Sequence, residues 1–594
     1  MQHITSFPLW LIVFLMAAVT ACGTDPSGEN SDTSDADSDT DSDTDSDTDT
    51  DTDSDTDSDT DSDTDTDTDT DTDTDTDTDT DSDTDSDSDS DTSACQYDCV
   101  PHCVSWGGTE MDGECEDNQR CCDGYTAPDT DTDTDTDSDS DTDTDTDSDS
   151  DSDTDTDTDT GSESLECPFT GAASPSGSNW VDGDMLTFNS NGGWCWYQDE
   201  RAIVDAENNM LIIGSVTSPG ANAEVVHWDI AAGSGQKFTV DSNLPYTDDH
   251  DTPALVKTKD GGYAAMWAGH KNDNLSRYAY FSGGSWSGRK DYNWGANAGD
   301  GITYANVWYI GDTLYSYVRS TDTSPNYLYS NDNGKSWEFG GRLTSTPQVG
   351  YVAGYYKYWG NNEDRIDWLA TEAHPRDFDN SLYHGYIQDG KIHNSKGEVI
   401  DNDFTDRNAQ QVTSYTQVFK TGTTVNGERL EHLWNADLVR YDDGTVAAIG
   451  TARVSGTGSD DPQKRLLYFR FDGNEWKTTF LAKAGNKLYS SEQDYTGLGA
   501  LDPDNSEVIY ISTPYNPITG DGADNGKKEI WKGVTCDEGA TFEWTPITAN
   551  SSMDNLRPIV PKWDKKHRAL LWLRGSYSSA QEYNFDVVGL IEGM

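Results

Sequence analysis

"YLYSNDNGKSWEF", residues 327 to 339, is two short runs of β-forming residues on either side of a turn. Its aromatic residues suit a pleated, half-buried surface. Between the runs stands a glycine-containing turn, Asn331 to Gly334. The same grammar recurs in "LVKTKDGGYAAMW" (255–267), "VWYIGDTLYSYV" (307–318), "LVRYDDGTVAAIG" (438–450) and "LYFRFDGNEWKTTFL" (467–481). Each has two alternating apolar runs about a glycine-containing turn, and few segments show helical spacing. So many antiparallel hairpins without a long helix predict a closed all-β architecture, because an open sheet of that size would leave unmanaged edges.

Ser330 to Trp337 also matches the Asp-box pattern S-x-D-x-G-x-x-W, a turn found between the outer strands of sialidase-type propeller blades. The motif is structural: it predicts a propeller and is silent on chemistry.

Outside this body, from about residue 165 to 594, the composition is of another kind. Residues 31 to 94 and 129 to 160 are Asp-Thr and Asp-Ser alternation, holding 46 aspartates and no Lys, Arg or Glu, out of a net charge of −76 for the chain. With nothing apolar to bury and like charges repelling, these runs are expected to be extended, solvated tethers at 23–94 and 127–164. Calcium association there would be diffuse, since no loop closes a coordination cage. Between them, Cys95, Cys99, Cys103, Cys115, Cys121 and Cys122 crowd a segment, 95–126, too poor in hydrophobics for a core. Three disulfides, with 15 possible connectivities, are the expected staple of this module, be it a carbohydrate-binding knot or a rigid bead. Zinc is the competing reading, but no clean C-x2-C pair is present.

The chain begins "MQHITSFPLWLIVFLMAAVTACG", with an apolar stretch from Phe7 to Val19 too short for a transmembrane helix. Val19-Thr20-Ala21-Cys22 resembles a lipobox, although the n-region carries no Lys or Arg. Residues 1–22 are therefore expected to be a lipoprotein signal peptide with Cys22 lipidated, and an ordinary signal peptide is the alternative. The expectation is an exported bacterial lipoprotein at the outer membrane or cell surface, held to the membrane through its lipid, monomeric, with no nucleic-acid partner. Cys167, Cys195 and Cys536 remain in the body, an odd number, so one free thiol is expected.

Ten histidines serve the whole chain, and two of them frame one hairpin: His250 and His270 in "DDHDTPALVKTKDGGYAAMWAGH" (248–270). A turn closing on Asp260-Gly261 would set His270 opposite Asp251, one step from His250. In the next hairpin a turn on Gly311-Asp312 would set Tyr304 opposite Arg319, and a third hairpin carries Tyr356 before its turn and His374 near the end of its return strand. In a propeller such strand ends line a shared mouth. Taken singly, Tyr304 and Tyr356 read as packing aromatics, Arg319 as a salt-bridged strand residue, and His270 as a structural histidine or metal ligand. Their repeated position favours a joint site.

Together with these, "TYANVW" (303–308), "SNDNGKSW" (330–337), "DRIDWLATEAHP" (364–375), "SLYHGYI" (381–387), "EQDYTGLGALDP" (492–503), "NLRPIVPKW" (555–563) and "LLWLRGSY" (570–577) resemble the BNR-repeat family that includes the ulvan lyases. The likeness spans about residues 185 to 594. It implies a seven-bladed β-propeller over 165–594 that cleaves a uronate-containing anionic polysaccharide. By matching motifs it implies His250 and Tyr304 as the acid–base pair and Arg319 as the neutraliser of the carboxylate. His270, Tyr356 and His374 are implied as substrate-binding; Arg557 and Arg574 are expected to bind substrate as well. It implies no cofactor for the chemistry, with room for structural Ca2+ or Zn2+.

The residue types suit that reaction. β-Elimination removes the weakly acidic C5 proton of a uronate, so the carboxylate must be neutralised to stabilise an enolate-like state. Arg does this with a planar fork, a neutral imidazole of pKa ~6.5 takes a proton, and a Tyr hydroxyl protonates the leaving oxygen. Two rivals stand beside it. A sialidase-like hydrolase would use Arg319, Arg557 and Arg574 on a substrate carboxylate but needs a Tyr nucleophile with a Glu partner, for which no arrangement is evident. A non-catalytic glycan-binding propeller would need only aromatics.

Overall fold

The computed structural model describes residues 174 to 593 apart from 321–323, 346–353, 459–462, 491 and 493, together with the backbone of three short strands, Asp98–Val100, Thr109–Met111 and Arg120–Asp123. The lipobox, both Asp-rich runs, the pairing of the six clustered cysteines and the expected boundaries at 22, 94, 126 and 164 lie outside the described residues. The three short strands form an antiparallel sheet with Arg120–Asp123 in the middle, Cys121 lying opposite Cys99 on one side and Met111 on the other.

The body is a seven-bladed β-propeller. The blades open with Ala202–Asp205, Ala254–Lys257, Thr303–Ile310, Tyr356–Gly360, Glu428–Arg440, Gly499–Leu501 and Asp554–Ile559, and each continues outward as an antiparallel meander of successive strands. The ring closes at the seventh blade. Asp554–Ile559, Arg568–Ser579 and Glu582–Glu592 come from the end of the chain, and the fourth strand, Leu186–Asn189, comes from before the first blade, pairing at Val587↔Asn189 and Gly589↔Leu186. Joining the two ends in one sheet leaves only short outer edges exposed.

The third blade shows how local sequence makes a blade. Thr303–Ile310 and Thr313–Arg319 are joined by the two-residue turn Gly311-Asp312, with Gly311 at φ 57°. Tyr315, Tyr317 and Arg319 alternate onto one face of the second strand, as a period of two requires. The Asp-box follows. Asp332 Oδ1 accepts the N–H groups of Lys335 (3.0 Å) and Ser336 (2.9 Å), the Ser330 hydroxyl accepts from Gly334 N–H (2.9 Å), and Trp337 is buried against Tyr278. A second, degenerate copy lies in the sixth blade. Thr535 replaces Ser and Phe542 replaces Trp, while Asp537 Oδ1 accepts from Thr541 N–H (2.8 Å) and Thr535 Oγ1 from Gly539 N–H (2.8 Å). The exact pattern does not find this copy.

Large aromatics fill the spaces between blades, with Trp194, Trp267, Trp308, Trp368 and Trp572 wholly buried. Glycines make room for them: a Cβ on Gly385 would stand 2.5 Å from the Trp368 ring. Of the cysteines expected in the body, Cys536 is disulfide-bonded and Cys195 is free and buried.

Candidate active site

His250 sits in a single 3-10 turn, Asp249–Asp251, capped by the Asp248 carboxylate, which accepts His250 N–H (3.0 Å). The hairpin that follows turns differently from the two-residue expectation. Thr258 N–H donates to the Gly262 carbonyl (2.9 Å) around a three-residue loop with Gly261 at φ 84°, so the pairing runs Ala254↔Met266 to Lys257↔Tyr263. This register moves His270 by one residue, from opposite Asp251 to His250 itself. The two imidazoles stack, their centroids 4.0 Å apart and planes at 18°.

Asp248 holds both rings. His250 Nδ1 donates to Oδ1 (2.6 Å) and His270 Nδ1 to Oδ2 (3.0 Å), so each ring keeps Nε2 away from the carboxylate. Asp249 lies behind His250, with Oδ1 at 2.8 Å from its Nδ1. Its other oxygen accepts from Arg557 Nη1 and from the Tyr577 hydroxyl. Burial alone would lower the His250 pKa, but the acidic groups around it, Cys195, Asp248, Tyr304 and Asp249, outweigh that and raise it well above 6.5. His270 moves the other way, to about 4, through burial and then the charge of His250. The two rings are thus shifted in opposite senses, His250 toward the cation and the more exposed His270 toward the neutral ring.

Tyr304 enters from the third blade through a β-bulge. The register expected from the Gly311-Asp312 turn holds from Ile310↔Thr313 to Asn306↔Tyr317. It then slips by one, so that Arg319 pairs with Thr303 and not Tyr304. Tyr304 takes φ 70°, rare for an aromatic residue and the kind of backbone that bulges near functional sites adopt. Its ring lies 5.5 Å from that of His250, and its hydroxyl, though buried, has no hydrogen-bond partner among the described residues. Burial, then the neighbouring Tyr355, keep its pKa well above 10, so the phenol is protonated.

Arg319 stacks over the rings of Tyr304 (4.9 Å) and Tyr355 (5.4 Å). Its Nη1 donates to the Tyr355 hydroxyl (3.1 Å), while its Nε lacks a partner among the described residues. His374 Nδ1 accepts from Arg376 N–H (3.2 Å), which leaves Nε2 as the donor to the Tyr355 oxygen (3.2 Å). Burial lowers His374 to about 3, in keeping with a neutral ring. The Tyr355 oxygen thus accepts two hydrogen bonds, and its own proton is uncommitted.

The structure brings together His250, His270, Tyr304, Arg319 and His374, but three of the expected residues are placed otherwise. Tyr356 points into the packing between blades, bonded to Thr344 and packed against Tyr358 and Trp368; Tyr355 takes the position beside Arg319. Adjacent residues at a strand end face opposite ways, so an offset of one reverses the side chain. Arg557, 1% exposed, is bonded to Asp249, to the Trp194 carbonyl and to the Tyr577 hydroxyl, on the far side of Asp249 from His250. Arg574 is engaged with Asn555 (2.8 Å) and Asn179 (2.7 Å) in the seventh blade, apart from the histidines. Asp248, Asp249, Tyr577 and Gln581, which donates to Asp248, complete the surroundings of the stack. Only the acidic DDHD run hinted at them.

Two triples could supply metal ligands: Asp248, His250 and His270, or Cys195, Asp249 and His250, each with donor atoms within 4.8 Å of one another. Thiolate and imidazole suit Zn2+ better than Ca2+.

No protein-family model and no curated protein matches the chain. Among solved structures, it is similar to a polysaccharide lyase of family PL25, an ulvan lyase bound to -[GlcA(1-4)Rha3S]-, with a TM-score of 0.50 and 14% identity over 68% of this chain and 95% of that one. A further PL25 ulvan lyase structure gives a TM-score of 0.48 at 14% identity, covering 68% of this chain and 95% of that one. The polysaccharide lyase Uly1 gives 0.42 at 13%, covering 70% and 93%. At such identity the first likeness establishes the propeller fold.

Proposed function

We propose that the chain is a polysaccharide lyase that cleaves a uronate-containing, ulvan-like polymer by β-elimination. The observation that carries the reading is the convergence of unsatisfied donors at one mouth: the Tyr304 hydroxyl and Arg319 Nε, both buried without partners among the described residues, beside a cationic and a neutral imidazole. Buried polar groups left unpaired cost free energy, and such sites are commonly completed by a ligand.

In this mechanism Arg319, the Tyr355 hydroxyl and cationic His250 hold the uronate carboxylate and stabilise the charge that develops on it. His270 Nε2, the lone pair available at neutral pH, takes the C5 proton. The C4–C5 double bond forms as the C4–oxygen bond breaks, and Tyr304 donates its proton to the leaving oxygen. The His270 proton then returns to the Tyr304 oxygen, directly or through solvent. His250 thus remains part of the acid–base unit as its cation, and the base role passes to its stacked neighbour. The ulvan lyase bound to -[GlcA(1-4)Rha3S]- supports the substrate class by fold alone.

Incubating the protein with ulvan tests the reaction. Elimination produces the ultraviolet absorbance of a 4,5-unsaturated uronate. New reducing ends without that chromophore would mean a hydrolase, and neither signal would leave a binding propeller. Lipid anchoring at Cys22 is proposed alongside; a Cys22→Ala protein that stays equally membrane-bound would refute it.

A further inference from the structure

A second cavity, of about 360 Å3, opens on the third blade at the end opposite the mouth. Arg319 and Thr313 terminate the same strand, and Thr313 lines this cavity; at ~3.3 Å per residue the two ends lie roughly 20 Å apart. Its wall is aromatic. Tyr315 and Tyr329 are direct cross-strand partners, and Phe339 stands on the next strand. A bulge in the pairing of Pro325–Ser330 with Glu338–Arg342 leaves Gly340 unpaired, and any Cβ there would collide with the Tyr327 ring at 1.9 Å. Arg407, from the loop of the fourth blade, caps the freed Gly340 carbonyl through Nε (3.2 Å) and lies over Phe339 at 5.2 Å.

That contact fixes the guanidinium at the cavity's rim while leaving its fork unused. Among the described residues neither Nη group of Arg407 has a hydrogen-bond partner. Arg407 itself takes φ 68°, an unfavourable backbone for this residue, so the loop holds it there against a local preference. Among the described residues none of the acidic neighbours forms an ion pair with it. Asp403 accepts from Thr405 (2.9 Å and 2.6 Å), Asp406 from Asn408 N–H (2.7 Å), and Glu338 from the Tyr329 hydroxyl (2.7 Å).

We propose that this cavity is a second saccharide site, for a pyranose unit carrying a carboxylate or sulfate. The aromatic wall offers flat apolar surface for a sugar face, and the paired Nη groups match two oxygens of an oxyanion. The volume is within the range of small-ligand sites. Such a site would hold the polymer without eliminating from it, since no histidine is among its lining residues. The choice of probe rests on the lyase reading; the cavity does not.

Titration calorimetry of the full chain carrying Tyr304→Phe, with an ulvan tetrasaccharide, tests the proposal. Two binding events per chain are expected. Arg407→Ala should weaken one at least tenfold and spare the other, and Arg319→Ala should do the reverse. In the catalytically intact chain, Arg407→Ala should leave turnover of the tetrasaccharide unchanged. A single event insensitive to Arg407→Ala would overturn the second site. An uncharged tetrasaccharide that binds there equally well would overturn the anionic specificity. Loss of the lyase reading would show separately, as an Arg407-dependent event in a chain that yields no unsaturated product.

Discussion

Asp248 is the residue on which the mouth depends, because one buried carboxylate sets the orientation of two imidazoles and the charge of one. Replacing it with Asn keeps an acceptor but removes the charge. Asp248→Asn should therefore lower the pKa of His250 and bring the alkaline limb of the rate profile to lower pH. The acid limb belongs to His270. With its pKa at about 4, the lone pair is present above that value and is lost as pH falls through it, so activity on short substrate should decline near pH 4. An acid limb near the ordinary histidine value of ~6.5 would give the base role to another group. Tyr304→Phe removes a hydroxyl that bonds to no described residue, so thermal stability should hold while kcat falls by ~10²–10⁴-fold, the usual worth of a positioned acid. A Tyr304→Phe protein with near-normal kcat would exclude it as the acid.

Among elements, the turns decide more than the strands. The three-residue loop at Lys259–Gly261 and the bulge at Tyr304 each displace a register by one, and those two slips bring His270 onto His250 and Tyr304 to the mouth. The Asp-box does comparable work for stability: Asp332 satisfies two backbone N–H groups and the Ser336 hydroxyl. Asp332→Ala should cost about 1–3 kcal/mol in denaturant unfolding, since the donors lose their partner, with little change in activity on short substrate. Asp537→Ala in the degenerate copy should cost a similar amount. If it costs nothing, that turn only resembles an Asp-box.

In the whole molecule, stability depends on closing the ring. Removing residues 1 to 160 should leave the propeller folded and active on soluble substrate, whereas removal through residue 190 takes the fourth strand of the seventh blade and should abolish cooperative unfolding. Acid should also open the ring. His227 at about 4, His270 at about 4 and His374 at about 3 are all held below the unfolded value by burial. The unfolded chain therefore binds more protons from about pH 6.5 downward, and stability should fall as pH is lowered from there toward 4. His250, raised in the fold, acts in the opposite sense: it contributes stability below pH 6.5 that is lost as pH rises through its folded value. Burial lowers His384 as well; melting temperatures across this range, in constant salt, would show the difference between four groups and one.

Much of this was legible in the residues. Glycine turns, period-two alternation and Ser330–Trp337 suffice for an all-β propeller, because turn chemistry and side-chain alternation are local properties that the chain carries wherever it goes. The residue types of the mouth were legible for the same reason, and the two-residue turn Gly311-Asp312 even gave the register of its hairpin as far as Asn306. What only the tertiary structure decided is which of two adjacent residues stands beside Arg319, Tyr355 and not Tyr356, and that Arg557 is bonded to Asp249 while Arg574 is bonded to Asn555 and Asn179. Those choices hang on one-residue slips and on contacts between segments hundreds of residues apart, such as Arg557 with Asp249. The protonation of the histidines was undecided for the same reason: a pKa is set by burial and by charges the fold brings close, and neither is written in the order of the chain.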